Sequence, residues 1–152
     1  EKAEPGLREL PVSRVRFIEF SEISDLRGNL TFAEKPGLLP FSPCRYFIIY
    51  DVPGKEVRGE HAHKELHQFI ICVKGSCAVV VDDGNERCEI ILDKPTLGLY
   101  VPPMIWATQY KFTQDAVLLV LASDVYKADD YIRNYDEYLN LIAKNQTGEN
   151  DD

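Results

Sequence analysis

The fold of this chain is indicated most directly by the stretch Arg58-Gly59-Glu60-His61-Ala62-His63-Lys64, which holds two of its three histidines one residue apart. Alternate side chains of a β-strand point to the same face. The pair therefore predicts a strand that directs two imidazoles into one space. Imidazole has an unperturbed pKa near neutral pH and is also a common metal ligand. From the pair alone, an acid–base site and a metal site are both open.

Short apolar and β-branched runs recur on both sides of this pair, separated by clusters of Pro, Gly, Asn and Asp. Many short strands at such spacing are typical of a sandwich or barrel. Asp83-Gly84-Asn85 favours a hairpin turn. Only residues 129–133 and 135–143 are expected to be helical, with Gly148 ending any helix. The expected strands are 15–20, 30–34, 45–52, 66–73, 77–81, 88–92, 97–101, 107–112 and 117–122.

Length and charge narrow the class of protein. At 152 residues the chain is expected to be one domain, 1–152, with an ordered core over about 12–142. The net charge of −8, from 17 basic and 25 acidic residues, disfavours nucleic acid as a partner. It leaves room for an anionic small ligand held by a few arginines. No run approaches the ~20 apolar residues of a membrane helix, so no membrane association is expected.

The four cysteines, Cys44, Cys72, Cys77 and Cys88, form no CxxC motif. Their spacing suits neither a zinc knuckle nor a secreted disulfide framework. We expect free, mostly buried thiols in a reducing cytoplasm. The chain begins without Met, which is compatible with a segment of a longer protein.

The surroundings of the histidine pair resemble the first motif of the cupins, with Gly54 before the pair and Gly75 after it. Gln68 stands where that motif usually has Glu. Residues 98–107 resemble the second cupin motif, whose ligand His falls on Ala107, next to Trp106. A transition metal in a cupin is held by about three His and one carboxylate. The comparison therefore predicts that no metal is bound.

A longer set of motifs resembles the nucleotide-sugar 3,4-ketoisomerases that act on dTDP-4-keto-6-deoxyglucose. The resemblance implies an all-β cupin fold, a double-stranded β-helix jelly-roll sandwich with a short C-terminal helical segment. It also implies a homodimer without metal or other cofactor, located in the cytoplasm. The implied pathway is deoxysugar synthesis, for bacterial O-antigen, lipopolysaccharide or S-layer glycans or for antibiotics. Some relatives are fused to a sugar acyltransferase. The matching segments are 27–32, 50–53, 58–64, 82–84, 98–106, 119–123 and 130–133.

Moving a ketone from C4 to C3 removes the C3 proton, forms an enediol(ate) and returns a proton at C4. A base with a pKa near 7 suits this chemistry. His61 and His63 are the expected catalytic pair, one as base and the other as acid or oxyanion partner. His63 is favoured as the base because it lies deeper along the strand. No redox cofactor is needed, in agreement with the absence of a Gly-rich dinucleotide loop.

Further residues are assigned to the substrate. Arg27, in an Asp-x-Arg-Gly turn similar to one in sugar-nucleotide 3,5-epimerases, is the first choice for the pyrophosphate, and Asn29 lies in the same motif. Arg58 is expected to contact phosphate or to tune an imidazole pKa. The competing interpretations are an exposed turn residue for Arg27, a surface ion pair for Arg58 and core packing for the aromatic residues. Three more side chains are assigned to the sugar pocket: Tyr46, Gln68 and Trp106.

Two other functions stay open at this point. One is a non-catalytic cupin that binds a nucleotide sugar, and the other is a metal-dependent cupin oxygenase or isomerase. The third histidine, His67, is expected to face away from the barrel interior, at the surface or an interface. The sequence leaves the gluco or galacto configuration of the product undecided.

Overall fold

The computed structural model describes residues 6–147. Within them the chain forms thirteen strands, one 3-10 turn and one α-helix. The strands are β1 (Gly6–Arg8), β2 (Arg16–Glu19), β3 (Glu22–Asp25), β4 (Gly28–Thr31), β5 (Arg45–Tyr50), β6 (Arg58–His63), β7 (Gln68–Lys74), β8 (Cys77–Asp82), β9 (Arg87–Leu92), β10 (Leu97–Val101), β11 (Trp106–Tyr110), β12 (Val117–Ala122) and β13 (Tyr131–Ile132). The 3-10 turn is Ala128–Asp130 and helix α1 is Tyr135–Thr147.

Two antiparallel sheets enclose the core. One has the order β1-β2-β10-β7-β12-β5, and the other has the order β13-β6-β11-β8-β9. Alternating apolar residues of both sheets meet between them, among them Ile70, Leu99 and Leu118 from the first sheet and Val79 and Leu92 from the second. Each of these side chains is fully buried. The predicted all-β jelly-roll sandwich with a short C-terminal helix is confirmed.

The structure corrects the prediction of a helix over 129–133. Residues 128–130 form a 3-10 turn, and Tyr131 and Ile132 pair with His63 and Ala62 of β6 as strand β13. Ile132 is buried against Ala62 and Tyr138. Pairing with the sheet edge and this burial override the local preference, and a strand of two residues leaves little periodicity to detect.

Helix α1 covers the outer face of the five-stranded sheet. Its Tyr138 is fully buried, and its hydroxyl lies within hydrogen-bond distance of two carbonyl oxygens that share its one proton, those of Asp82 and Met104, at 3.0 and 2.9 Å. Met104 has a φ of 64°, in the left-handed region, and its N–H donates to the carbonyl of His63 at 2.7 Å. These bonds fix the end of β6, the strand that holds the histidine pair. The predicted helix stop, Gly148, lies outside the described residues.

Strands β3 and β4 form a separate hairpin. Within residues 6–147 they pair only with each other. The hairpin and the segment after it leave large apolar side chains in solvent, including Ile23, Leu26, Leu30 and Phe32. Large exposed apolar side chains on one short segment are typical of a site that another protein covers.

The four cysteines are free thiols. Cys72 and Cys77 are buried and Cys88 is half-buried, in line with the expectation of mostly buried thiols. Only Cys44 departs from it, because its side chain is exposed. No helix among the described residues is long and apolar enough to cross a membrane.

Candidate active site

Strand β6 directs His61 and His63 to the same side, as its alternation requires. Their ring centroids are 4.8 Å apart, with the ring planes at 89°. Ala62 faces the other way and packs in the cluster with Tyr138. On one side of β6 Ala107 of β11 pairs with His61, and on the other side Tyr131 of β13 pairs with His63. The pair is therefore fixed from both sides by sheet hydrogen bonds.

Asp130 orients His63. The Nδ1 atom of His63 lies 3.0 Å from Oδ2 of Asp130, and the side chain is only 5% exposed. The same carboxylate accepts from the backbone N–H groups of Glu65 and Leu66, at 2.8 and 3.3 Å. An ionised carboxylate only accepts hydrogen bonds, so Nδ1 of a neutral His63 carries the proton and Nε2 carries the lone pair. That Nε2 is buried and has no hydrogen-bond partner among the described residues.

Both imidazoles are held neutral at pH 7. Burial, with smaller contributions from the charges of His63 and Arg133, lowers the pKa of His61 to about 4. Burial also lowers the pKa of His63, and the Asp130 carboxylate opposes part of that shift. A neutral imidazole is the form that accepts a proton, so the site is set up for base catalysis at neutral pH.

Tyr131 and Arg133 complete the surroundings of the pair. The Tyr131 ring centroid is 4.8 Å from that of His61 and 4.4 Å from that of His63. The Arg133 guanidinium lies 4.2 Å from the Tyr131 centroid, a cation–π contact. No role in the site is predicted from the sequence for three residues of the matching segment 130–133, which are Asp130, Tyr131 and Arg133. Recognising a strand there would have placed Tyr131 beside the histidines.

A cavity of about 520 Å³ opens beside His61. Arg45, Arg58 and Arg133 line it, so a chain of net charge −8 has a locally positive pocket. A smaller cavity of about 190 Å³ contains His63 and Asp130. The two share three lining residues, Arg45, Tyr126 and Tyr131. The larger cavity is lined by Arg45, Phe47, Ile49, Arg58, Gly59, Glu60, His61, Gln68, Gln109, Tyr126, Tyr131 and Arg133.

The structure brings Arg58 and Gln68 to the cavity of His61, but not Tyr46 or Trp106. Tyr46 is 67% exposed and on the opposite face of β5 from Arg45 and Phe47, which line the cavity. Trp106 lies outside, packed on two tyrosines, Tyr135 and Tyr138, with ring centroids at 5.2 and 5.7 Å. The position of Trp106 agrees with the packing interpretation, and its proposed contact with the sugar has no support from either histidine cavity of this chain.

Arg27 and Asn29 lie on the β3–β4 hairpin and line neither histidine cavity of this chain. The Arg27 side chain is 91% exposed and forms an ion pair with Asp25 at 2.7 Å. His67 also stays outside the cavities. It is half-buried, and its Nδ1 lies 2.6 Å from the Tyr100 hydroxyl, with the two rings stacked.

The residues do not fit the metal set of a cupin. Gln68 supplies an amide where the carboxylate would be, and Ala107, which pairs with His61, supplies no ligand atom. No group of three or more His, Cys, Asp or Glu side chains that could hold a metal converges within residues 6–147. Two imidazoles, one of them engaged with Asp130, are fewer ligands than a transition metal needs.

Comparison with known proteins places the chain in a family. The family described as "FdtA: WxcM-like, C-terminal" matches residues 13–143. The TDP-4-oxo-6-deoxy-alpha-D-glucose-3,4-oxoisomerase of Aneurinibacillus thermoaerophilus is 48% identical over 129 residues, which cover 85% of this chain and 93% of that relative.

Solved structures agree with this assignment. QdtA, a sugar 3,4-ketoisomerase from Thermoanaerobacterium thermosaccharolyticum in complex with TDP, is 40% identical, with a TM-score of 0.83 over 88% of this chain and 98% of that one. A variant of QdtA in complex with TDP-4-keto-6-deoxyglucose is also 40% identical, with a TM-score of 0.82 over 91% of this chain and 99% of that one. This chain therefore belongs to the sugar-nucleotide 3,4-ketoisomerase family.

Proposed function

We propose that this chain is an isomerase that moves the keto group of dTDP-4-keto-6-deoxyglucose from C4 to C3. The observation that carries the proposal is the His63–Asp130 pair, whose Nε2 lone pair is unused, next to His61 and an arginine-lined cavity. The names of the relatives at 40–48% identity support the same reaction and substrate.

In the proposed reaction Nε2 of His63 takes the proton from C3. The C–H electron pair forms the C3–C4 double bond, and the carbonyl π pair moves to O4. Neutral His61 donates an N–H hydrogen bond to this oxyanion. The O3 proton then passes to O4, C3–O3 closes to a carbonyl, and C4 takes a proton. Oxidation at C3 balances reduction at C4, so no external oxidant is required.

The pyrophosphate of the substrate is assigned to the arginines. Arg45, Arg58 and Arg133 all line the cavity that contains His61. A guanidinium forms paired, charge-assisted hydrogen bonds with phosphate oxygens. Gln68, which is buried and lines the same cavity, is a hydrogen-bonding partner for the sugar. Arg58 and Gln68 therefore keep their proposed roles.

The proposal includes a homodimer. The β3–β4 hairpin exposes large apolar side chains, and so does the outer face of β5, where Tyr46, Ile48 and Tyr50 are exposed. Burying such a surface against a second copy would be favourable. Arg27 and Asn29 line no histidine cavity of their own chain, so we assign them to the cavity of the partner.

The cellular setting is also a proposal. Four free thiols favour the cytoplasm. The family resemblance suggests a role in deoxysugar synthesis for surface glycans such as O-antigen, lipopolysaccharide or an S-layer. It also suggests that residues 1–152 form one catalytic domain, which in some relatives is fused to an acyltransferase. The complete reading frame would establish whether a second domain exists.

The decisive experiment is incubation with dTDP-4-keto-6-deoxyglucose in deuterated water, followed by NMR. We expect loss of the C3 proton, deuterium at C4 and a ketone at C3. A non-catalytic binding cupin would bind TDP yet leave the sugar unchanged. For a metal-dependent cupin, exhaustive chelation would abolish turnover and added zinc, iron or manganese would restore it. Either result would overturn the proposal.

A further inference from the structure

We infer that Gly59 is a positioning residue for substrate binding. The one-residue bulge that it forms in β6 turns Arg58 into the cavity of His61, where the guanidinium binds the pyrophosphate. The inference rests on the proposed function in one respect, which is the assignment of a nucleotide pyrophosphate to that cavity. Its basis is the register of β6 on β11, the backbone of Gly59 and the residues that line the two faces of the sheet.

Strand β6 contains one residue more than the stretch of β11 with which it pairs. His61 pairs with Ala107, and Arg58 pairs with Gln109. Three steps along β6 therefore match two steps along β11, which is the mark of a β-bulge. Gly59 has a φ of 73°, in the left-handed region that the first residue of a common class of bulge adopts. Gly59 is thus the point at which the strand departs from regular alternation.

The bulge changes which face of the sheet the preceding residues occupy. In a regular strand, two residues that are three positions apart point to opposite faces. Arg58 and His61 are three apart, yet both line the cavity of about 520 Å³. On the other face of the sheet lies a groove of about 280 Å³, which Thr108 of β11 lines and which we call the outer groove. Val57 and Glu60, again three apart, both line this groove. Each face therefore shows the same insertion of one residue.

Glu60 is the acidic side chain that lines the larger cavity, where a carboxylate would repel a pyrophosphate. Beside Glu60, strand β6 is the edge of the described sheet, since β13 pairs with Ala62 and His63 further along. Glu60 therefore reaches the outer groove as well as the rim of the cavity. It directly precedes His61, so it keeps its side of the sheet whether the strand is bulged or regular. The bulge decides the side on which Arg58 lies, but not that of Glu60.

The contact with Gln109 explains why the bulge requires glycine. A Cβ on residue 59 would lie 3.2 to 3.3 Å from the amide atoms of the Gln109 side chain, closer than ordinary van der Waals contact. A left-handed φ also disfavours any residue with a Cβ, and β-branched residues most of all. A regular strand accommodates such a residue better. In that strand residue 59 pairs with Gln109 and faces the cavity, and Arg58 turns to the outer groove.

The test measures the Kd for TDP by calorimetry, which requires no turnover. In Gly59→Val the Kd should rise roughly ten- to a hundredfold, as in Arg58→Ala, because each variant removes the same charge-assisted contact. In an Arg58→Ala background, Gly59→Val should cause no further rise, since a residue that acts through Arg58 has no separate effect. Losses that add in the double variant would indicate a merely structural role and overturn the inference.

A rescue variant and a control keep the test sharp if Gly59→Val folds poorly. Arg58→Val combined with Gly59→Arg places the guanidinium at the residue that faces the cavity in a regular strand, so it should regain most of the TDP affinity. Gly54→Val is the matched control, because Gly54 is also left-handed, at a φ of 53°, but lines neither histidine cavity of this chain. Its Kd should stay unchanged. A rescue variant no better than Gly59→Val, or an equal loss in Gly54→Val, would overturn the inference. Failure of both Gly59 variants to fold would assign the bulge to the fold alone and overturn it too.

The same measurements separate this inference from the proposed function. If the natural chain binds TDP with the expected pattern of affinities but moves no keto group, the proposed function fails and the role of Gly59 stands. If the natural chain isomerises the sugar and the pattern is absent, the inference alone fails. A natural chain that does not bind TDP would overturn both.

Discussion

The Nδ1 atom of His63 lies 3.0 Å from Oδ2 of Asp130, whose other contacts are backbone N–H groups. The carboxylate fixes the tautomer of the imidazole and leaves the lone pair on Nε2. It also stabilises the imidazolium that forms when a proton is taken up. In serine hydrolases an aspartate plays both roles for the catalytic histidine without receiving the proton itself. Under the proposed function, Asp130 is thus a positioning residue for His63 as the base.

Replacing the Asp130 carboxylate should lower the catalytic rate without weakening substrate binding. In Asp130→Asn the amide can donate to Nδ1, which favours the tautomer with its proton on Nε2. We expect kcat to fall by roughly 10²–10⁴-fold, while KM and the Kd for TDP change little. Steady-state kinetics and calorimetry measure these quantities. Asp129→Asn is the matched control, because Asp129 is the exposed neighbour and should leave kcat unchanged. An equal loss in both variants would contradict the assignment.

The pH profile should show a base that works in mildly acidic solution. Burial lowers the pKa of both His61 and His63, so both stay neutral below their ordinary value of 6.5. We expect the acidic limb of kcat/KM to lie below pH 6.5. Asp130 raises the pKa of His63, so Asp130→Asn should move the limb to still lower pH. A limb at or above 6.5 in the natural chain would contradict this prediction.

The same pKa shifts predict the direction in which the free energy of unfolding changes with pH. In the unfolded chain the histidines take up protons near pH 6.5, whereas in the folded chain His61 resists protonation until about pH 4. The unfolded state therefore binds more protons between these values, and the free energy of unfolding falls as pH drops from 6.5 towards 4. Denaturant unfolding at several pH values would show this slope, and it should weaken in His61→Asn.

The sequence predicted the strand of the histidine pair, the fold class and most central strands, because alternation and turn residues are local signals. The bounds of two strands, 97–101 and 117–122, were predicted without error. Asp130, Tyr131 and Arg133 were missed because their role depends on a two-residue strand that exists only through pairing with β6. Nothing in the local pattern reports a partner 67 residues away in the chain.

Tyr46 shows a different limit. In strand β5 the residues alternate Arg45, Phe47, Ile49 on one face and Tyr46, Ile48, Tyr50 on the other. Both faces are largely apolar, so composition does not decide which one lies inside. If the strand is shifted by one residue, every side chain moves to the opposite face of the sheet. The structure directs Arg45 and Phe47 to the cavity, and the phenol predicted for the sugar lies outside.

Tyr131 should control access to His63, the proposed base. The Nε2 atom of His63 is buried, and the Tyr131 ring centroid lies 4.4 Å from that of the imidazole. We expect Tyr131→Ala to increase the rate at which diethyl pyrocarbonate modifies His63, as measured by peptide mass spectrometry. Tyr131→Phe keeps the ring and should react at the rate of the natural chain. Equal rates in all three proteins would show that another group covers Nε2.

Arg27→Ala should raise KM strongly while much of kcat survives at saturation. Loss of a charge-assisted bidentate contact costs about 1.5–3 kcal/mol, or roughly ten- to a hundredfold in affinity. An unchanged KM would exclude Arg27 from the phosphate site and leave the pyrophosphate to the arginines of the cavity, with Arg58 the next candidate to replace.

Mixing two defective variants would show whether Arg27 acts in the cavity of its own chain or in that of the partner. If Arg27 serves the partner's cavity, a heterodimer of Arg27→Ala and His63→Asn contains one site with both defects and one intact site. Random exchange should then restore about a quarter of the natural activity at low substrate concentration, because half of the dimers are mixed and each has one intact site of two. If Arg27 acts within its own chain, both sites stay defective and mixing restores nothing. Sedimentation equilibrium would confirm that dimers form, and a monomeric mass would contradict the proposal.

The roles proposed for His61 and His63 should be separable by isotope exchange. His61→Asn and His63→Asn are each expected to lower kcat by at least about 10²-fold, with TDP affinity largely intact. In His61→Asn the base and its carboxylate remain, so the C3 proton should still exchange in deuterated water while product forms slowly. In His63→Asn exchange and product formation should both disappear. His67→Asn is the matched control, since His67 packs on Tyr100 outside the cavities and should leave kcat unchanged. Exchange that survives in His63→Asn but not in His61→Asn would reverse the roles, and near-natural turnover in both would leave a binding protein as the better interpretation.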